Sequence, residues 1–229
     1  MGDVSLGEGG TELITAPSLS SDLGVELSLK LEGANPTGST KDRGSAAVVA
    51  HALARGDDVV ACASTGNAAA SVAAYAARGG LACCLFVPER APDAKAVQPL
   101  VYGADVFAVK GTYDDAFALC ERVTAASGWL DRSAGATPCT DAGARTLGDG
   151  LAGQPNRGPD RGGVPVGSTD AEAGARDPDS PRLVGGVGVD SEDAAAAVGG
   201  LTRDGFRRCE PLRIAALAAS AHREAATSE

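Results

Sequence analysis

The chain has 229 residues, 44% of them hydrophobic, which suffices for one large domain or two small ones with separate cores. Thirty acidic side chains against 20 basic ones leave a formal charge of −10, a field that repels phosphate and argues against a nucleic-acid or anionic-membrane surface. The six cysteines form no C-x-x-C pair and only His51 and His222 accompany them, so scattered buried thiols are expected and a metal site is not.

The first 130 residues alternate strand-like and helix-like segments. Val25 to Leu31 alternates in character and predicts a strand with Glu26, Ser28 and Lys30 on one side. Ser45 to Arg55, rich in Ala and Val and stopped by Gly56, predicts a helix opened by Lys41. Val59 to Ala63 is a short apolar strand, after which Ser64-Thr65-Gly66-Asn67 caps an Ala-rich helix that ends at Gly79-Gly80. Leu81 to Val87 predicts a buried strand, Pro92 to Leu100 a helix, Asp105 to Val109 a strand and Tyr113 to Ala126 a helix. Strands joined by helices of this length imply right-handed crossovers and a parallel sheet. Ligands of such sheets collect at the carboxyl ends of strands and at the helix N-termini that follow, where Ser64 to Asn67 sits.

Beyond Leu130 the character changes. Of the aromatic residues only Phe206 follows, and Leu147 to Gly200 is rich in Gly, Pro and Asp with few apolar periods. Helices are again predicted from Ser191 to Leu201 and from Leu212 to Ala225. The opening Met1-Gly2-Asp3-Val4 has no signal-peptide pattern, and the longest apolar run, Ala68 to Ala77, is too short to cross a bilayer. A soluble cytoplasmic protein is expected. Lysine occurs only at Lys30, Lys41, Lys95 and Lys110, and this acid-rich, lysine-poor composition resembles proteins of salt-loving organisms.

Five ordered blocks carry the chemistry. They are SLGEGGTELI (Ser5–Ile14), LGVELSLKLEGANPTGSTKDRG (Leu23–Gly44), ACASTGNAAASVAAYAARGGL (Ala61–Leu81), VPERAPDAK (Val87–Lys95) and YGADVFAVKGTYDDA (Tyr102–Ala116). From about Val4 to Gly128 the chain thereby resembles threonine synthases, in the tryptophan-synthase-β-like, fold type II group of pyridoxal-phosphate (PLP) enzymes. The Asp after the lysine in Lys41-Asp42-Arg43-Gly44, preceded by Asn35-Pro36-Thr37-Gly38, favours threonine synthase over the dehydratase relatives.

The resemblance implies an α/β protein of two lobes with parallel-rich twisted sheets. Residues 45–128 would form the smaller lobe, and residues 1–44 and 129–229 the larger, cofactor-holding lobe, incomplete in its second half. It implies that Lys41 holds PLP as a Schiff base and then shuttles protons on substrate carbons. That role suits a lysine at a helix start, where the dipole disfavours the ammonium. Asn67 would hydrogen-bond the ring oxygen of PLP, while Ser64, Thr65 and Gly66 would hold the amino-acid carboxylate. A recognisable Val-Pro-Val strand (Val164 to Val166) leads to a phosphate loop at Val166, Gly167, Ser168 and Thr169. The implied reaction turns O-phospho-L-homoserine and water into L-threonine and phosphate, with PLP as cofactor and an amino-acid phosphate as substrate; a homodimer is expected to bury surface that the shortened second half leaves uncovered.

The chain departs from the family pattern at several places. Thr40 stands where Phe is usual and Glu12 where Pro is common. Thr137, Thr140 and Arg145 replace the Asn, Arg and Lys of an NP(Y)R-x-EGxKT-type segment, and Asp170 follows the phosphate loop. No TGxGLKD-type segment, whose Thr faces the pyridine nitrogen, is found before Glu229. Three activities therefore stay open on the sequence alone. They are an active threonine synthase, an impaired member that keeps the amino-terminal fold, and another fold type II enzyme such as an amino-acid dehydratase.

Overall fold

The computed structural model describes residues 4–133, 135–153, 161–162 and 182–183. Strand β1 (Leu13–Thr15) and strand β2 (Ser28–Lys30) pair antiparallel, with Leu13 opposite Lys30, around helix α1 (Pro17–Leu23). Proline at the start of α1 presets its first turn, and Gly24 at φ 66° ends it in the left-handed region that glycine enters without steric cost. A 3-10 turn at Glu32–Ala34 leads to helix α2 (Lys41–Arg55), opened by Lys41 as expected and continuing through the predicted Ser45–Arg55 segment.

The main sheet is built from β3 (Val59–Ala63), β4 (Ala82–Pro88), β5 (Asp105–Val109) and β6 (Leu130–Asp131). All its pairings are parallel and its order is β5-β4-β3-β6. Helices α3 (Asn67–Gly79), α4 (Asp93–Val101) and α5 (Tyr113–Ser127) make the crossovers. Since the chain moves outward through β3, β4 and β5 and then returns to β6, right-handed crossovers put α5 on the face opposite α3 and α4. The core follows this division. Val60 and Cys62 pack with Val48, Val72 and Leu85 on one face, and Ala61 and Ala63 pack with Phe86, Phe107 and Ala116 on the other. Cys62, Cys83, Cys84 and Cys120 are buried free thiols, and burial pushes the Cys83 thiol up.

Helix α6 (Pro138–Gly153) packs across α2. The two backbones meet at glycine: a Cβ on Gly143 would lie 2.2 Å from the Arg43 carbonyl oxygen, and one on Gly44 would lie 3.1 Å from Thr140 Cγ2. Two short strands, β7 (Arg161–Gly162) and β8 (Arg182–Leu183), pair parallel. The helices predicted over 191–201 and 212–225 lie outside the described residues. No helix among the described residues is long and apolar enough to cross a membrane. The α/β architecture with a parallel main sheet is the one expected from the sequence.

Candidate cofactor and substrate site

The reversal of strand order falls between β3 and β6, and their carboxyl ends form the crevice where open α/β sheets take ligands. Ser64, Thr65, Gly66 and Asn67 leave β3 at that edge. Ser64 and Thr65 are half-buried, Gly66 and Asn67 exposed. The sequence pattern predicts a cap from this tetrapeptide, but the cap position of α3 is Gly66, and no side chain caps the helix. The Ser64 hydroxyl instead accepts the Gly66 N–H at 3.2 Å, folding the turn on itself. The N-terminal N–H groups of α3 thus face the edge without a side-chain acceptor among the described residues, which suits an anion.

Lys41 is the first residue of α2 and is half-buried. Its N–H donates to Ser39 Oγ at 3.1 Å. Asp42, fully buried, accepts the Thr37 N–H at 2.7 Å and the Thr37 hydroxyl, and so pins the Pro-Thr-Gly-Ser turn that delivers the lysine. Arg43 points the other way. It grips Glu32 with two 2.8 Å bonds from Nε and Nη2, and reaches the Gly9 carbonyl at 3.3 Å and Thr146 Oγ1 at 3.0 Å. Burial raises the Glu32 carboxyl, yet the bonds from Arg43, Thr11 and Asn35 outweigh it and bring the group down to about 2. Lys30 is tied to the Thr11 carbonyl; burial and the Arg43 charge lower its ammonium against the pull of Glu32.

Two residues just after β6 join the lysine turn to the β3 turn. Arg132 is fully buried; its Nε donates to Ser45 Oγ at 3.0 Å, its Nη2 to the Lys41 carbonyl at 3.3 Å, and its own N–H to the Ala61 carbonyl at 2.8 Å. Ser133 Oγ accepts the Ala63 N–H at 2.9 Å, and the Tyr113 hydroxyl donates to the Ala63 carbonyl at 3.0 Å. Both polar groups of the last β3 residue are held by side chains, so the Ser64–Asn67 turn leaves from a fixed point. No motif singles out Arg132, Ser133 or Tyr113; the one signal was Tyr113's place at a predicted helix start.

The donor set suits PLP. Lys41 stands at the start of α2, the N-terminus of α3 carries no side-chain cap, and a Cβ on Gly66 would meet nothing within 4 Å. A family model described as pyridoxal-phosphate dependent enzyme matches residues 4–175. The chain belongs to this family. Over 123 residues it is 48% identical to a threonine synthase of Mycobacterium leprae (strain TN), a match covering 53% of this chain and 34% of that relative. The chain thus spans about a third of the length of such curated relatives. Among solved structures, a pyridoxal 5'-phosphate-dependent aspartate racemase superposes with a TM-score of 0.67 at 26% identity, over 76% of this chain and 56% of that one. A threonine deaminase of T.th. does so with a TM-score of 0.63 at 30% identity, over 72% and 53%. PLP is the cofactor of the family, and its phosphate-loop candidates Val166, Gly167, Ser168 and Thr169 lie outside the described residues.

The remaining family positions divide. Thr137 and Thr140 are buried and Arg145 is exposed. The Thr137 hydroxyl accepts the Cys139 N–H at 3.4 Å, a local bond within the α6 entry. The Thr140 hydroxyl is buried with no hydrogen-bond partner among the described residues. His51 is exposed on α2, and Asp114 and Asp115 stand in the first turn of α5. There Asp115 accepts the Thr112 N–H at 2.7 Å in a capping box, which lowers its carboxyl.

Proposed function

We propose that the chain is a threonine synthase-type lyase, acting on O-phospho-L-homoserine and water to yield L-threonine and phosphate. The observation that carries this reading is the hydrogen-bonded bridge from the Lys41 carbonyl through Arg132 and Ser133 to Ala63, beside the Ser64–Asn67 turn. Support for the substrate class comes from the 48% identity to a threonine synthase over 123 residues.

In this reading Lys41 holds the cofactor through its ε-amine and afterwards carries protons to and from the substrate carbons. Asn67 donates its amide to the ring oxygen. Ser64, Thr65 and Gly66, with the N-terminus of α3, bind the substrate carboxylate and orient its α-carbon. Val166, Gly167, Ser168 and Thr169 hold the cofactor phosphate. When bound, PLP supplies the electron sink for charge that develops on the substrate carbons. Residues 45–128 act as the smaller lobe and 1–44 with 129–229 as the larger, the two meeting at the lysine turn. A homodimer and a cytoplasmic, high-salt setting complete the proposal, the latter supported by the charge of −10 and the scarcity of lysine.

An amino-acid dehydratase is the second reading, favoured by the threonine deaminase superposition over 72% of the chain. An impaired member is the third, favoured by Thr140, whose buried hydroxyl stands where the family carries Arg. Incubation with PLP, borohydride reduction and peptide mapping, with Lys41→Ala as control, tests all three. A pyridoxyl adduct on Lys41 with phosphate released from O-phospho-L-homoserine upholds the first. An adduct with a 2-oxo acid formed from L-threonine selects the second, and a folded chain without an adduct selects the third.

A further inference from the structure

Arg132 is a fully buried cation at the centre of the bridge between the lysine turn and β3, and the roles assigned above give it no contact with cofactor or substrate. Its planar fork spans one turn of α2, bonding the Lys41 carbonyl and the Ser45 hydroxyl, residues one helical turn apart. Nη2 also packs on the backbone of that turn, 3.5 Å from where a Cβ on Gly44 would stand. The same residue's N–H holds the Ala61 carbonyl of β3, and its neighbour Ser133 holds Ala63. A guanidinium bonded at two points of a helical turn fixes the rotation and advance of that turn, which a single ammonium does not.

Resting on the function proposed above, we propose that Arg132 is a positioning residue for Lys41: it clamps the first turn of α2 to the carboxyl ends of β3 and β6, and so sets where the lysine stands relative to the Ser64–Asn67 turn. The guanidinium touches the lysine through its backbone carbonyl, so its effect is on placement. Removing the fork frees the first turn and leaves the rest of α2, packed through Val48, Val49 and Ala52, in place.

The test compares Arg132→Met and Arg132→Lys with the unaltered chain. In the protein without cofactor, amide hydrogen exchange in the first turn of α2 is expected to speed up roughly tenfold or more in both variants, the scale of a lost charge-assisted hydrogen bond. Exchange beyond Val48 stays unchanged. With PLP present, the rate of pyridoxyl labelling at Lys41 falls in both variants, and kcat falls more than KM rises. Arg132→Lys matching the unaltered chain would reduce the role to buried charge and overturn the proposal. So would exchange that speeds up evenly along α2, which is the mark of general destabilisation. Ser45→Ala removes the Nε acceptor alone and gives the same local exchange pattern in a chain that keeps the guanidinium. If the unaltered chain takes no label at Lys41, the function reading fails, and the exchange comparison still decides the positioning role.

Discussion

Glu32 and Arg43 meet fork to fork beside the lysine turn, with Thr11 and Asn35 adding donors to the same carboxylate. The carboxyl falls from an ordinary 4.5 to about 2 in the folded chain. A depressed carboxyl stabilises the fold fully above its unfolded value, and that contribution is lost as pH falls from about 4.5 through 2. The linkage amounts to about 3 kcal/mol at neutral pH as an upper figure, since the pair is partly hydrated. Denaturant melts of Glu32→Gln are therefore expected to show lower stability than the unaltered chain at pH 7, with the two curves converging near pH 2. Parallel curves across that range would show that Glu32 contributes no linkage. At this scale the sequence was readable where a residue belongs to a motif. Lys41 stands at the predicted helix start. Arg132 was not readable, because a buried arginine leaves no periodicity and its partners, Ser45 and Ala61, are far away along the chain.

The α2–α6 crossing depends on glycine at one point. A methyl on Gly143 would stand 2.2 Å from the Arg43 carbonyl oxygen, which is backbone and has no rotamer to change. Gly143→Ala must push the helices apart and is expected to cost about 3 kcal/mol or more, the upper range for overpacking. Gly44→Ala meets the Thr140 methyl at 3.1 Å and carbonyl at 3.2 Å and is expected to cost less. Denaturant midpoints for the pair check the order, and the opposite order would place the close approach elsewhere. The same geometry explains why α6 was not predicted: Gly143, Gly148, Gly150 and Gly153 break its apolar pattern, so the helix is held by close backbone approach. Strands β3 and β5 were legible to the residue, since β3 is an apolar run buried almost throughout and β5 buries Val106 and Phe107 on opposite faces of the sheet. β1 and α1 were not, because their side chains are exposed or half-buried and follow no period. The predicted strand over Val25–Leu31 narrows to Ser28–Lys30 for the same reason, there being no core beneath its ends.

Exposed large apolar side chains concentrate in that amino-terminal unit: Leu19, Leu23, Val25, Leu29 and Leu31, with Leu23 at 63% and Val25 at 56% exposure. A soluble chain seldom leaves so many together in water, and apolar groups of this kind mark interaction surfaces. The parallel sheet offers them no cover, since its faces are already packed by α2, α3 and α4 on one side and α5 on the other. A second copy of the chain is the partner the proposed homodimer supplies. High salt favours that association twice over, by screening the −10 charge on each copy and by strengthening apolar burial. Sedimentation equilibrium in high salt is expected to give a dimer, and Leu23→Glu combined with Val25→Glu a monomer. Both altered positions are exposed, so the double variant keeps its intramolecular packing, and any loss of melting temperature must come from the lost partner. That loss should shrink as the unaltered chain is diluted toward its own dissociation. An unaltered chain that is monomeric and melts in one cooperative step would show that the apolar unit is tolerated in water, and the homodimer would fall.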